Sequence, residues 1–371
     1  MNGQWIGTYA GSTGGTIIVN IDEREENYQG VAFLLEKDPT IPSSVAAFRT
    51  PDKAVKSQFR TDEIQAIDGA GNIVPWEAVR DNFTTGITFS KYADVQVCCD
   101  NDHLSLSWAT ATAANGKCDL PRSRAKMPSD LTPTLKDWDG FKQYVSSLRG
   151  CRYLFRGQNK TCRLQTSFHR RGRADLHRFL REDVPVLYRH LSARTKHIFD
   201  LRVPDQFGAF LHLAQHHGYP TPLLDWTYSP FVAAFFAYRG ISNKIAAKTD
   251  SEDKVRILVL DQEKWRMTFP QSLLMVVPWL HFSIGEFIPI ENERMVPQQA
   301  ASTLTNADDI ESYIKSKEME SMKTYLWAID LPVRDRRDVI RDLCYMGITA
   351  GSLFPGLDGA CEELTERNFE I

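Results

Sequence analysis

Up to about Thr110 every apolar stretch is short and follows the two-residue period of a strand. Examples are "GTIIVNID", "GVAFLLE", "ADVQVCC" and "LSLSWAT", punctuated by "GSTGG", "DGAGN" and "NGK". Side chains on a strand alternate between two faces, so this pattern builds half-buried strands and cannot build helices. The expectation for residues 1–118 is therefore an antiparallel β sandwich or barrel, an accessory unit with few chemistry-bearing motifs. "IDGAGNIVPWEAV" (Ile67–Val79) reads as strand, Gly-rich turn and strand.

Residues 119–135 mix Pro, Ser and basic residues without an apolar period and read as a linker. Beyond them the period changes. "DWDGFKQYVSSL" spaces Trp138, Phe141, Val145 and Leu148 as one helix face, with Asp137 or Asp139 placed to cap it. "RYLFRG" reads as a strand. "ADLHRFLREDVPVLYRHLSART" and "DQFGAFLHLAQHHG" read as helices, the second closing at Gly218, and "PFVAAFFAY" reads as a buried helix. "VRILVLD", "LLMVVPWL" and "YLWAIDLP" read as strands before a late amphipathic helix in "VRDRRDVIRDLCYMGI". The fold class expected for the whole chain is α+β, with residues 136–371 as a second, mixed domain.

A chain of 371 residues with 42% hydrophobic content is long enough for two cored domains. Its net charge of -3 points to no nucleic-acid or membrane partner by itself, but the average hides a local bias. Between Arg149 and Lys196 thirteen Arg and Lys face only Asp175, Glu182 and Asp183. That stretch reads as a solvated face, a cradle for phosphates, or a groove for RNA or DNA. The opening "MNGQWIGTYAGSTGG" is too polar for a signal peptide, and Leu273–Leu280 is too short to span a bilayer. The expected setting is cytoplasmic, with no membrane contact. Seven cysteines without a C-x-x-C pair read as reduced thiols and not as a zinc site.

"YLFRGQ", "LAQHHGYPTPLLDWTYSPFVAAFFA" and "GITAGSLFPGLDGA", in that order, closely resemble the FRG domain family, named for its Phe-Arg-Gly step, over about residues 135–365. A more distant likeness is to ADP-ribosyltransferases of the Arg, Ser-Thr-Ser, Glu kind. It sets Arg156 in "LFRG", the "DWTYSP" step leading into "VAAFFA", and "ENERMVP" (Glu291–Pro297) as counterparts. Asp225, Trp226 and Thr227, with Ser229 two residues on, stand where that family has Ser-Thr-Ser.

The resemblance implies an ADP-ribosyltransferase-like core that takes NAD as a substrate and needs no metal. It implies transfer of ADP-ribose to a macromolecule, nucleic acid ahead of protein, in a toxin or antiviral defence setting with an antitoxin or chaperone partner. The alternatives are a non-catalytic nucleotide- or partner-binding module and an NAD glycohydrolase. The chemistry of the residues fits each part. A guanidinium fork such as Arg156 can grip a pyrophosphate, and Gly157 would let backbone approach a ligand. A carboxylate beside the ribose would stabilise an oxocarbenium-like state. Glu293 is the first candidate for that acid, Glu291 the second and Asp225 the third.

Gln158, His217, Thr221, Thr227 and Ser229 are candidate polar contacts to the dinucleotide, and Trp226, Tyr228 and Tyr219 candidate stacking faces. His216 and His217 sit at a helix end, where one faces a cleft. His212, one turn before His216, suggests metal ligation, but no carboxylate or Cys completes that set, so no metal is expected. Gln215 could hold a ribose hydroxyl, and Gln298 and Gln299 fall where the family carries a Gln-Gln-Gly step, here "QQAAS".

Overall fold

The computed structural model describes residues 1–83, 86–248 and 253–369. The first unit is a single antiparallel sheet of β1 (Gly3–Gly11), β2 (Gly14–Glu23), β3 (Tyr28–Glu36), β4 (Ser43–Arg49), β5 (Lys56–Thr61), β6 (Glu63–Ile67), β7 (Ile73–Val74), β8 (Ala93–Cys99), β9 (His103–Thr110) and β10 (Asn115–Pro121). Its order is β5-β8-β9-β10-β1-β2-β3-β4-β6-β7.

β5 and β6 are two halves of one segment, interrupted only at Asp62. The first half pairs with β8 (Phe59↔Val95) and the second with β4 (Ala46↔Ile64). The Thr61 hydroxyl donates to the Ala47 carbonyl at the changeover, 2.5 Å away. One kinked strand thus seals the sheet on itself, and the sandwich-or-barrel alternative resolves to a barrel. Its packed end holds Trp5 (1% exposed), Leu104 (0%) and Leu120 (0%). The second strand read in "IDGAGNIVPWEAV" is reduced to the two residues of β7.

The second unit is a seven-stranded sheet of β11 (Thr134–Leu135), β12 (Tyr153–Gln158), β13 (Leu223–Thr227), β14 (Lys254–Asp261), β15 (Phe282–Gly285), β16 (Ala300–Thr305) and β17 (Leu326–Pro332), in the order β11-β17-β14-β12-β13-β16-β15. Only β11 and β17 run parallel. The fold is α+β as expected. Helices Trp138–Ser146, Pro204–His216, Pro230–Tyr238 and Arg336–Tyr345 form where the 3.6-residue period predicts them. The Ser229 hydroxyl caps the third by accepting from the Val232 N–H at 3.2 Å, with Pro230 at its first position.

Two expectations are corrected here. "LLMVVPWL" contains no strand; its apolar residues Met275 and Val277 are buried in irregular chain held by Asn306, whose Nδ2 donates to the Trp279 carbonyl. The linker reading was also too wide, because β10 runs on to Pro121 and Thr134–Leu135 join the second sheet. Between them Asp130 is fixed by Arg163 at 2.9 Å.

β12 and β14 pair along six residues, Tyr153↔Asp261 through Gln158↔Arg256, and β13 and β16 along five. Between them, β12 and β13 meet at one pair, Phe155↔Thr227. The sheet therefore splits immediately after Phe155. Gly157 fixes β12 on the other side: a Cβ there would collide with the Ala233 carbonyl oxygen and the Ala237 nitrogen of the Pro230–Tyr238 helix. The glycine is required for strand-on-helix packing.

The two units are locked by a buried carboxylate. Asp22 of β2, 0% exposed, accepts from Arg173 Nε (2.6 Å), Arg178 Nη1 (2.8 Å) and the Ala174 N–H (2.7 Å). Gln4 of β1 adds Nε2 to the Asn306 carbonyl (2.8 Å) and accepts from the Asp308 N–H (3.0 Å).

Asp22→Ala removes the buried carboxylate that Arg173 and Arg178 share, leaving them only Asp183 and Glu182, and should lower stability by about 3 kcal/mol, read as a drop in the thermal midpoint. A second outcome concerns pH. Burial pulls the His281 pKa from 6.5 down to about 4. The unfolded chain takes up that proton first, so the stabilisation is whole above about 6.5 and drains as pH falls toward 4. Asp175, pushed up to about 6 by burial, acts in the opposite sense, so the comparison must be made against a variant. Between pH 6.5 and 4.5 the native chain should lose about 2 kcal/mol more than His281→Gln, by denaturant titration at each pH.

Candidate active site

The split between β12 and β13 opens into a cleft of about 490 Å³. β12 supplies Arg156, Gly157 and Gln158, β13 supplies Asp225, and the end of the Pro204–His216 helix supplies Gln215 and His216. Arg294, Gln298 and Phe354 come from farther along the chain. In an unbroken ladder the backbone of β12 would satisfy β13. Here the Arg156 Nη1 donates to the Asp225 carbonyl oxygen, so a side chain takes over an acceptor that the split leaves unpaired. Arg156 Nε is buried without a hydrogen-bond partner. Burial pulls the Arg156 pKa down to about 10, with Asp225 opposing that shift. The guanidinium is charged at neutral pH and keeps donor capacity in hand.

The Asp225 side chain is 42% exposed, and that surface faces the cleft. Gln215 Nε2 donates to its Oδ1 at 2.5 Å, and His212 Nε2 lies 3.3 Å from the same oxygen. Burial alone would push this carboxyl up. The hydrogen bond and charge of His212, together with His216 and Arg156, outweigh it and hold Asp225 well below the usual carboxylate range. His216, pulled down mainly by burial, shares its Nδ1 with Asn292 Oδ1 at 2.8 Å. Arg294 Nη1 donates to the His216 carbonyl at 3.0 Å. The cleft's charges are Arg156, Lys160, Arg170 and Arg294 against Asp225 alone, a cationic wall around one fixed anion.

His212, His216 and Asp225 carry ligand atoms within 4.8 Å of one another. This corrects the expectation that no carboxylate completes the histidine pair: Asp225 stands nine residues further on. Strand β13 brings it back against the helix. Two imidazoles and a carboxylate form a set that a divalent transition metal accepts, and the Asn292 contact leaves the His216 Nε2 free to ligate.

The candidate residues separate cleanly. Arg156, Gly157, Gln158, Asp225, Trp226 and Thr227 line the cleft. Trp226 does so at the edge of a side chain 3% exposed, whose indole donates to Thr303 Oγ1 at 3.1 Å; it is core and offers no stacking face. Thr227 Oγ1 is engaged with the Gln298 carbonyl at 2.7 Å, and Ser229 caps its helix. Thr221, 0% exposed, holds Gln215 Oε1 and so orients the amide that orients Asp225. Tyr228 reaches Glu286 at 3.0 Å, and Tyr219 packs beside Phe179, both away from the cleft lining.

His217 is exposed at the helix cap, and it is His216 that faces the cleft. Glu293 is exposed outside the lining. Glu291 accepts from the His197 N–H at 2.7 Å, which pins the 195–200 loop. Of the three acids considered, Asp225 is the one beside Arg156. Gln298 lines the cleft, 7% exposed, with Nε2 on the Leu353 carbonyl at 3.0 Å, whereas Gln299 turns outward at φ 45°. Arg170 enters the cleft from the basic stretch, in line with its phosphate-cradle reading, whereas nothing local in the sequence ties Arg294 and Phe354 to the cleft; the His212–His216 spacing is the one signal for the imidazole pair.

The basic stretch is largely absorbed. Of its thirteen cations, Arg149, Arg152, Arg163, Arg173 and Arg178 are in ion pairs with acids that include Asp261, Asp130 and Asp22. Arg156, Lys160 and Arg170 belong to the cleft wall. Eight of the thirteen cations are thus engaged in ion pairs or in the cleft wall. Among the described residues no helix is long and apolar enough to cross a membrane, and all seven cysteines are free thiols.

No curated protein and no solved structure matches the chain. A family does: residues 151–245, which hold β12, β13 and the helices that carry Arg156, His216 and Asp225, match the FRG domain. The Phe-Arg-Gly step at 155–157 lines the cleft, and this chain carries an FRG domain that supplies most of the cleft's lining, with Arg294, Gln298, Ala300 and Phe354 added from beyond it.

Proposed function

We propose that the cleft binds NAD and transfers its ADP-ribosyl group to a macromolecular acceptor. The observation that carries this reading is the meeting of Arg156 and Asp225, from strands 69 residues apart in sequence, across one open crevice of about 490 Å³. A volume of that size suits a nucleotide-scale ligand. The split sheet also agrees with the ADP-ribosyltransferase-like core that the sequence resembles.

In this reading the partnerless Nε of Arg156, with Lys160 and Arg170, receives the pyrophosphate. Asp225 stays ionised and lies where positive charge develops at the ribose as the glycosidic bond breaks. Nicotinamide leaves with the electron pair of that bond. The ribosyl cation is taken by a nucleophile of the acceptor, which releases its proton. His216, whose pKa burial pulls down, lines the same cleft and is the group that receives that proton. Gln215, oriented by Thr221, keeps the carboxylate turned toward the crevice. Where water is the nucleophile, the same groups give free ADP-ribose.

A second reading, binding of a nucleotide without turnover, is favoured by one observation: the Asp225 oxygen is already engaged by Gln215 and His212. It shares the cleft and differs in chemistry.

Incubation with radiolabelled NAD and cell extract, fractionated into RNA, DNA and protein, should label one fraction. Arg156→Ala should reduce labelling at least about 100-fold and Asp225→Asn by about 100- to 1,000-fold, while Glu293→Gln stays within about twofold. No label above the Arg156→Ala trace in any fraction, and no free ADP-ribose, would reject turnover and leave the binding reading. The pH profile is a separate check. Asp225 is ionised throughout the neutral range, so the profile should show no acid limb between pH 5 and 7.

A further inference from the structure

The barrel is not filled along its length. Register puts Leu34, Phe59, Val95, Leu106 and Trp108 on the inward side with Tyr9, around the barrel wall. At the packed end the inward side chains are almost wholly buried, yet these five keep partial exposure while pointing at the axis. The solvent that they see is inside the barrel. They surround a cavity of about 350 Å³, within the range of small-ligand sites. An eight-stranded barrel is just wide enough either to be plugged by its own side chains or to hold one small molecule. Here the end near Trp5 does the first and the end near Trp108 leaves room for the second.

Glycine helps to make that room. A Cβ at Gly116 would run into the Trp108 ring, so the indole can lie flat against the β10 wall instead of crossing the lumen. The mouth is bordered by Ile41, Pro42 and residues 87–90, and Phe89 is stacked on Trp76 with ring centroids 5.2 Å apart.

Two polar groups break the apolar lining. Glu36 Oε1 accepts from Thr13 Oγ1 at 2.8 Å, while Oε2 is buried without a hydrogen-bond partner. The Tyr9 hydroxyl, on a residue 5% exposed, lies near Glu36 yet makes no hydrogen bond of good geometry. A buried carboxylate oxygen without a donor is costly, and a ligand that brings a donor removes the cost. Burial, with the Glu36 side chain beside it, pushes the Tyr9 phenol far up.

We infer that the barrel is a second binding site, for a small molecule with an apolar body that fills the lumen and an amine head that Glu36 receives at the mouth. The site lies in the other structural unit and uses none of the cleft residues, so it stands or falls apart from the reading given above.

The test uses the full chain and the fluorescent arylamine N-phenyl-1-naphthylamine, with decylamine and decanoate, which differ in the head alone, as competitors. The native chain should enhance and blue-shift the probe emission, and decylamine should displace it at least about tenfold better than decanoate. Glu36→Gln should retain the probe and erase the preference between the two competitors. Ala46→Trp, which fills the lumen, should abolish probe binding with the far-ultraviolet circular dichroism unchanged; Val95→Phe serves where the larger residue disturbs folding. Arg156→Ala should bind the probe as the native chain does. Equal probe binding by the native chain and both filled variants, or no binding by the native chain, overturns the site. Equal displacement by decylamine and decanoate overturns the amine head.

Discussion

The pairing of β12 with β13 at a single residue position is the constraint on which the cleft depends. Each strand is fully laddered on its far side, β12 to β14 and β13 to β16, so neither can swing away to relieve the gap. Gly157 presses β12 onto the Pro230–Tyr238 helix, and Thr227 ties β13 to the Gln298 carbonyl. The gap is therefore held open by structure on both flanks. The carbonyl it leaves bare is answered by Arg156, which makes the guanidinium part of the sheet and part of the cleft wall at once.

The electrostatics follow from that placement. One carboxylate sits among four cations and two imidazoles in a space that only the cleft mouth wets, so its ionised form is favoured despite burial. A site built in this way attracts anions over most of its surface and presents one fixed negative charge at a single place. That asymmetry suits a ligand with phosphates at one end and a centre of developing positive charge at the other.

Much of the architecture was legible in the sequence because periodicity reports which face of an element is buried. The change from period two to period 3.6 near residue 136 and the apolar "PFVAAFFAY" both reappear as built structure. What periodicity cannot report is tertiary partnership. "LLMVVPWL" is apolar enough for a strand, but Asn306 engages its backbone and no ladder forms. Arg173 and Arg178 looked like part of a basic face because their counter-charge, Asp22, lies about 150 positions earlier, in the other unit. At the site, Arg156 and Asp225 were visible in motifs, whereas the choice of His216 over His217 turns on helix phase at a cap, where one residue of error reverses the direction of a side chain. Glu293 looked like an acid in the right order along the chain, but order says nothing about which way a loop faces.

The kinked segment that seals the barrel has a consequence for what the accessory unit can tolerate. Since its two halves are hydrogen-bonded to different neighbours, sliding one half by a residue would misalign both seams together. The lumen's girth at that seam is consequently set by covalent continuity as well as by packing, which favours guests of one calibre.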